Sequence, residues 1–137
     1  MIICFIIIET SFISACQMPK KVDSFITIKG KTNSSYDSYG QILFNKNQVY
    51  IFATRLEQNK DYEIIAISGK NINCIKKIKS YPSIIAYCDN SYCGFIDTCF
   101  TLTKRTTYLK SAKFYIYNAG DVDCKNNKIL KNKPILK

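Results

Sequence analysis

Gln41-Ile42-Leu43-Phe44-Asn45-Lys46-Asn47-Gln48-Val49-Tyr50-Ile51-Phe52-Ala53-Thr54 reads as two short apolar arms around a polar turn. Asn tolerates the positive φ that tight turns require, so Asn45–Gln48 marks a hairpin between Gln41–Phe44 and Val49–Thr54. In the second arm Val49, Ile51 and Ala53 share one face, and Tyr50, Phe52 and Thr54 share the other. Side chains alternate across a strand, and both faces here carry apolar bulk. The arm is therefore expected inside a sheet rather than at its edge.

The same signals recur outward from this hairpin. Ser24–Lys29 is β-branched and reads as a strand, and Lys31–Gly40, rich in Asn, Ser and Tyr, reads as a loop. Arg55–Asp61 reads as a charged loop, Tyr62–Ser68 as a strand, Gly69-Lys70-Asn71 as a turn, and Ile72–Lys79 as a strand with one solvated face. Ser83–Cys88 and Cys93–Ile96 flank Asp89-Asn90-Ser91-Tyr92 as a second hairpin; Thr98–Thr103 and Ala112–Asn118 complete the set. No window holds a helical period of 3.6 over a helical length. About seven to eight short strands at roughly 8–12-residue spacing predict an all-β fold, an antiparallel β-sandwich of immunoglobulin-like (Ig-like) type.

Towards the N-terminus, Ile2–Ile8 and Phe12-Ile13 form an apolar run interrupted by Glu9. At about 15 residues it is shorter than the roughly 20 that span a bilayer and suits an export signal, although no Lys or Arg precedes it. Ile13-Ser14-Ala15-Cys16 closes the run and resembles the lipobox of bacterial lipoproteins. That resemblance implies cleavage before Cys16 and acylation of its thiol and new amino terminus. The expected division is a signal peptide over 1–15, a linker over 16–22, a β-sandwich over 23–124 and a basic, frayed tail over 125–137. About 120 mature residues suffice for one domain with a real core.

Seven cysteines in 137 residues favour an oxidising compartment. With Cys16 acylated, Cys74, Cys88, Cys93, Cys99 and Cys124 remain as disulfide candidates, an odd number. With Cys16 unmodified, six remain. A four-residue turn between Cys88 and Cys93 would set them opposite each other in a hairpin. Neither Cys88-x4-Cys93 nor Cys93-x5-Cys99 has the two-residue spacing of redox pairs or zinc ribbons, so the cysteines read as structural.

The chain has no histidine, which removes Ser-His-Asp and Cys-His catalysis and most zinc geometries. No Ser-x-x-Lys occurs, glycine is too scarce for a phosphate-cradling loop, and Asp121 with Asp123 falls short of a calcium site. No catalytic residue, metal or cofactor is expected. Net charge is +10, but Lys outnumbers Arg 18 to 2, and Arg is the better reader of phosphates and base edges. With an export signal, no nucleic-acid role is expected. Tyr36, Tyr39, Tyr50 and Tyr108 fall at strand ends or in loops, where tyrosine supplies interface contacts.

In outline the chain resembles small bacterial lipoproteins with an Ig-like β-domain, some of them proposed as periplasmic immunity proteins for type VI secretion effectors. The pieces that match are the Ile13–Cys16 lipobox, strands Gln48–Thr54 and Tyr62–Ser68, and the segment Asp97-Thr98-Cys99-Phe100-Thr101-Leu102. Tyr108 and the aromatic strand Lys113–Tyr117 follow it. The Val49–Thr54 strand lacks the cysteine this group would place there. The resemblance implies a lipid-anchored periplasmic protein that inhibits a delivered toxin, and a basic surface suits an acidic one. A structural envelope lipoprotein, and a secreted eukaryotic or viral domain that binds a host protein and carries a glycan at the Asn33-Ser34-Ser35 sequon, are the alternatives.

Overall fold

The computed structural model describes residues 20–31, 37–82 and 94–137. They form an antiparallel β-sandwich. Strands β1 (Ser24–Lys31), β2 (Asp37–Asn45), β3 (Gln48–Leu56), β6 (Tyr81–Pro82) and β7 (Gly94–Thr101) make one sheet in the order β1-β2-β3-β7-β6. Strands β4 (Asp61–Ser68), β5 (Asn71–Lys79) and β8 (Lys113–Asn118) make the other, in the order β5-β4-β8. A short hairpin, β9 (Val122–Asp123) with β10 (Lys128–Ile129), forms a third layer. The two main sheets are the sandwich expected, and the β9–β10 layer is an addition to it. Their order is a meander β1-β2-β3 followed by a change of sheet, which differs from the A-B-E-D order of an immunoglobulin sheet.

The predicted central hairpin forms, with Asn45 opposite Gln48 and Lys46-Asn47 at the tip. The positive φ falls on Lys46 (51°), not on either asparagine. β3 lies between β2 and β7, and Val49, Ile51 and Ala53 are 0–1% exposed. Three boundaries differ from the sequence reading. The expected loop Lys31–Gly40 already contains β2 from Asp37 onward, because Ser38 and Gly40 face the core. The expected loop Arg55–Asp61 begins late. Arg55 takes φ 61° in a bulge, so the chain gains one residue and Leu56 still turns inward. Gly94–Thr101 is one strand that runs from the expected arm Cys93–Ile96 into the expected Thr98–Thr103 and ends two residues before Thr103. Residues 83–93, and with them the hairpin expected at Asp89–Tyr92, lie outside the described residues.

The main core fills the space between the sheets. Ile28, Ile42, Val49, Ile51 and Ile96 face Tyr62, Ile64, Ala66 and Ile116, and Phe44 meets Phe114 edge-on at 6.1 Å. Leu109, from the 3₁₀ segment Lys104–Ser111, and Ala112 just after it close one end. A second cluster lies on the outer face of the three-stranded sheet. Ile65 and Tyr117 pack there under Val122 of the β9–β10 hairpin. This is why Tyr62 through Ala66 are buried without a break. The disulfide Cys74–Cys124 joins β5 to the turn of that hairpin.

The basic tail expected over 125–137 is a structural strap. Leu136 is fully buried, and backbone hydrogen bonds tie Leu136 and Ile135 to Ile116 on β8. Lys137 and Lys29 on β1 exchange two more at 3.1 Å each. The strap therefore bridges one edge of each sheet, and the sandwich continues past residue 124 to Lys137. The lysines point outward while Ile135 and Leu136 supply apolar burial, worth about 1.5–3 kcal/mol for a leucine.

Candidate protein-contact face

The outer face of the five-stranded sheet is set by the same alternation that builds the core. When Ile26 and Ile28 face inward, Phe25, Thr27 and Lys29 must face outward. The pairing registers then align three rows across the sheet. Phe25, Leu43, Tyr50 and Cys99 form the first, and Thr27, Gln41, Phe52 and Asp97 the second. Lys29, Tyr39, Thr54, Phe95 and Tyr81 form the third.

Large apolar groups on this face reach solvent. Phe25 is 61% exposed, Tyr39 51% and Tyr81 38%. Tyr81 stands edge-on to Phe95 at 5.3 Å, so the far end of the third row is held in place. Thr27, Tyr39, Gln41, Phe52 and Thr54 frame a shallow cleft of about 310 Å³ whose floor is the backbone at Gly40 and Ala53. In the second row Asp97 Oδ1 is buried and, among the described residues, has no hydrogen-bond partner. A buried acceptor left unpaired costs about 1–3 kcal/mol.

Of the four tyrosines singled out from the sequence, Tyr39 and Tyr50 share this face on neighbouring strands. Tyr50 is nearly buried, its hydroxyl donating to Gln48 Oε1 at 2.5 Å, while Tyr39 projects. Tyr108 is elsewhere, on the 3₁₀ segment, and Tyr36 lies outside the described residues. Phe25, Tyr81, Phe95 and Asp97 were not anticipated. Phe25 was legible, because it breaks the polar parity of Thr27 and Lys29; the others needed the register. The lysines do not gather here. Lys29 is the single basic residue in the three rows.

Among the cysteine candidates Cys74 and Cys124 are bonded, 50 residues apart, and Cys99 lies half-exposed in the first row. Cys16, Cys88 and Cys93 lie outside the described residues. Glu63 lies beside the disulfide, its carboxylate within 4.8 Å of both sulfurs. A metal would need thiolates there, and the bonded sulfurs offer none. Burial raises the Glu63 carboxyl above its usual range, and Lys77 across the β4–β5 pair works against that shift. Asp121 and Asp123 both take part in turns. Asp123 accepts hydrogen bonds from Asn126, which lower its carboxyl below the usual range, and the Asp121 carbonyl anchors Leu130 and Lys131. No family model, curated protein or solved structure matches the chain.

Proposed function

We propose that this is a non-enzymatic binding protein of the cell envelope. In this reading it is anchored through acylated Cys16, inhibits a delivered toxin, and contacts it with the outer face of the five-stranded sheet. The observation that carries the proposal is the set of projecting aromatics on one face of a paired sheet, with Phe25 and Tyr39 each more than half exposed. Aromatic side chains dominate the centres of protein interfaces, because they bury large areas at little conformational cost. The net charge of +10 acts at longer range, speeding encounter with an acidic partner instead of forming the contact.

The test uses the native host. A photo-crosslinking amino acid replaces Tyr39 in one strain and Lys113, on the opposite sheet, in another. The expected result is one crosslinked protein from Tyr39 and none from Lys113. That protein should be toxic when expressed alone and harmless beside the intact chain. Intact mass should show a start at Cys16 with added acyl mass. Equal crosslinking from both positions, or a captured protein whose toxicity is unchanged by this chain, would refute the proposal.

A further inference from the structure

A second site lies away from the aromatic face, where three segments distant in sequence meet. The Gly69-Lys70 turn between β4 and β5, the 3₁₀ segment Lys104–Ser111 and the turn Cys124–Asn127 enclose a groove of about 600 Å³. That volume is in the range of small-molecule sites, about 300–1,000 Å³. Its apolar surface comes from Ile72 and Tyr108, each half-buried and packed against one of the two cores. Its polar surface comes from Ser68, Asn71, Asn73 and Asn127, with Lys70 beside them.

From this geometry we infer that the groove binds a carbohydrate, and prefers one that carries an acidic group. Three carboxamides and a hydroxyl offer donors and acceptors together, which matches a ligand dense in hydroxyl groups. Among the described residues, none of these four side chains hydrogen-bonds to another protein group, so their capacity is uncommitted. The Tyr108 ring and Ile72 supply an apolar surface for the C–H face of a sugar ring. Among the described residues no acid lines the groove, and Lys70 supplies one cation, enough to favour a carboxylate or sulfate on the sugar. A phosphate-rich ligand would call for several cations around one point.

The two polar walls are held relative to each other by covalent chemistry. Cys74 follows Asn73 directly, and Cys124 opens the turn that ends at Asn127, with Cα atoms 5.7 Å apart. Asn127 itself takes φ 50° and Gly69 φ 61°, so both turns are tight. The disulfide thus fixes the groove before the ligand arrives, which reduces the ordering cost of binding.

The test is calorimetric titration of the full chain with an oligogalacturonide, a heparin-derived oligosaccharide and a neutral chito-oligosaccharide. Saturable binding at least fivefold tighter for an acidic sugar is expected. A preference for the first assigns a carboxylate sugar, and for the second a sulfated one. Tyr108→Ala and Asn127→Ala should each weaken binding about tenfold, and because alanine is strained at the φ of 50° that Asn127 adopts, a wild-type-like circular dichroism spectrum is the check that the Asn127 variant is folded. Lys70→Gln should remove the acidic preference while neutral binding persists. Cys74→Ala with Cys124→Ala should weaken all sugars together. Lys131→Gln with Lys133→Gln, remote from the groove, should change nothing. Absence of saturable binding, or binding lost in the Lys131/Lys133 variant but kept in Asn127→Ala, would overturn the inference.

Discussion

Removing the Cys74–Cys124 bridge by alanine at both positions should destabilise the fold by about 4 kcal/mol. The bridge closes a loop of 50 residues, for which the chain-entropy relation gives a loss of about 14 cal/mol/K in the unfolded state, or about 4 kcal/mol at room temperature. Replacing both cysteines avoids leaving an odd thiol. Both residues pack against the Ile65–Tyr117–Val122 cluster, so lost contact there adds to the entropic effect. Guanidinium unfolding of the wild type and the double variant gives both midpoint and slope. The midpoint should fall, and the slope should rise, because an unconstrained unfolded chain exposes more surface. A loss below about 1 kcal/mol with an unchanged slope would refute the reasoning, since loop closure would then not be acting on the unfolded state.

Gly30→Ala should detach the C-terminal strap, because a Cβ there would run into the carbonyl of Ile135. Hydrogen exchange should then speed up at Lys29, Leu136 and Lys137 before the amides of β3, and unchanged protection at Lys137 would count against the strap. Glu63→Gln should raise stability at neutral pH and flatten its pH dependence. The folded-state pKa of Glu63 is raised, so the folded protein holds the extra proton and stability falls as pH climbs from the unfolded carboxylate value toward the folded one. A wild-type profile with no decline that the variant removes would contradict this. Burial pushes the Tyr62 phenol up to about 12 and also raises Tyr117, so ultraviolet titration should show a late phenol component that Tyr62→Phe diminishes. The same variant removes the acceptor for the Glu57 amide, 3.0 Å away, and should cost about 1 kcal/mol.

The sequence by itself determined the sandwich class and most of the strands. Alternation is a local property, so the two-sided burial of β3 and the turn at Asn45–Gln48 were legible from fourteen consecutive residues. Even the projection of Phe25 follows from its parity with Thr27 and Lys29. What tertiary structure decided was everything that depends on pairing between distant segments. The positive φ settled on Lys46 and Arg55 because the partner strands fix where the chain must bend, and local preference for asparagine was overridden. Lysines over 125–137 read as solvated, yet Ile135 and Leu136 found an open seam between β1 and β8, which no local pattern announces. The rows that bring Tyr39, Phe95 and Tyr81 together require the β2–β3–β7–β6 register. The groove at Ser68, Asn73, Tyr108 and Asn127 exists only once three segments converge. Strand formation depends on each residue and its near neighbours, while register, bridges and clefts depend on contacts made after a long loop has closed, and that geometry leaves no periodic trace in the chain.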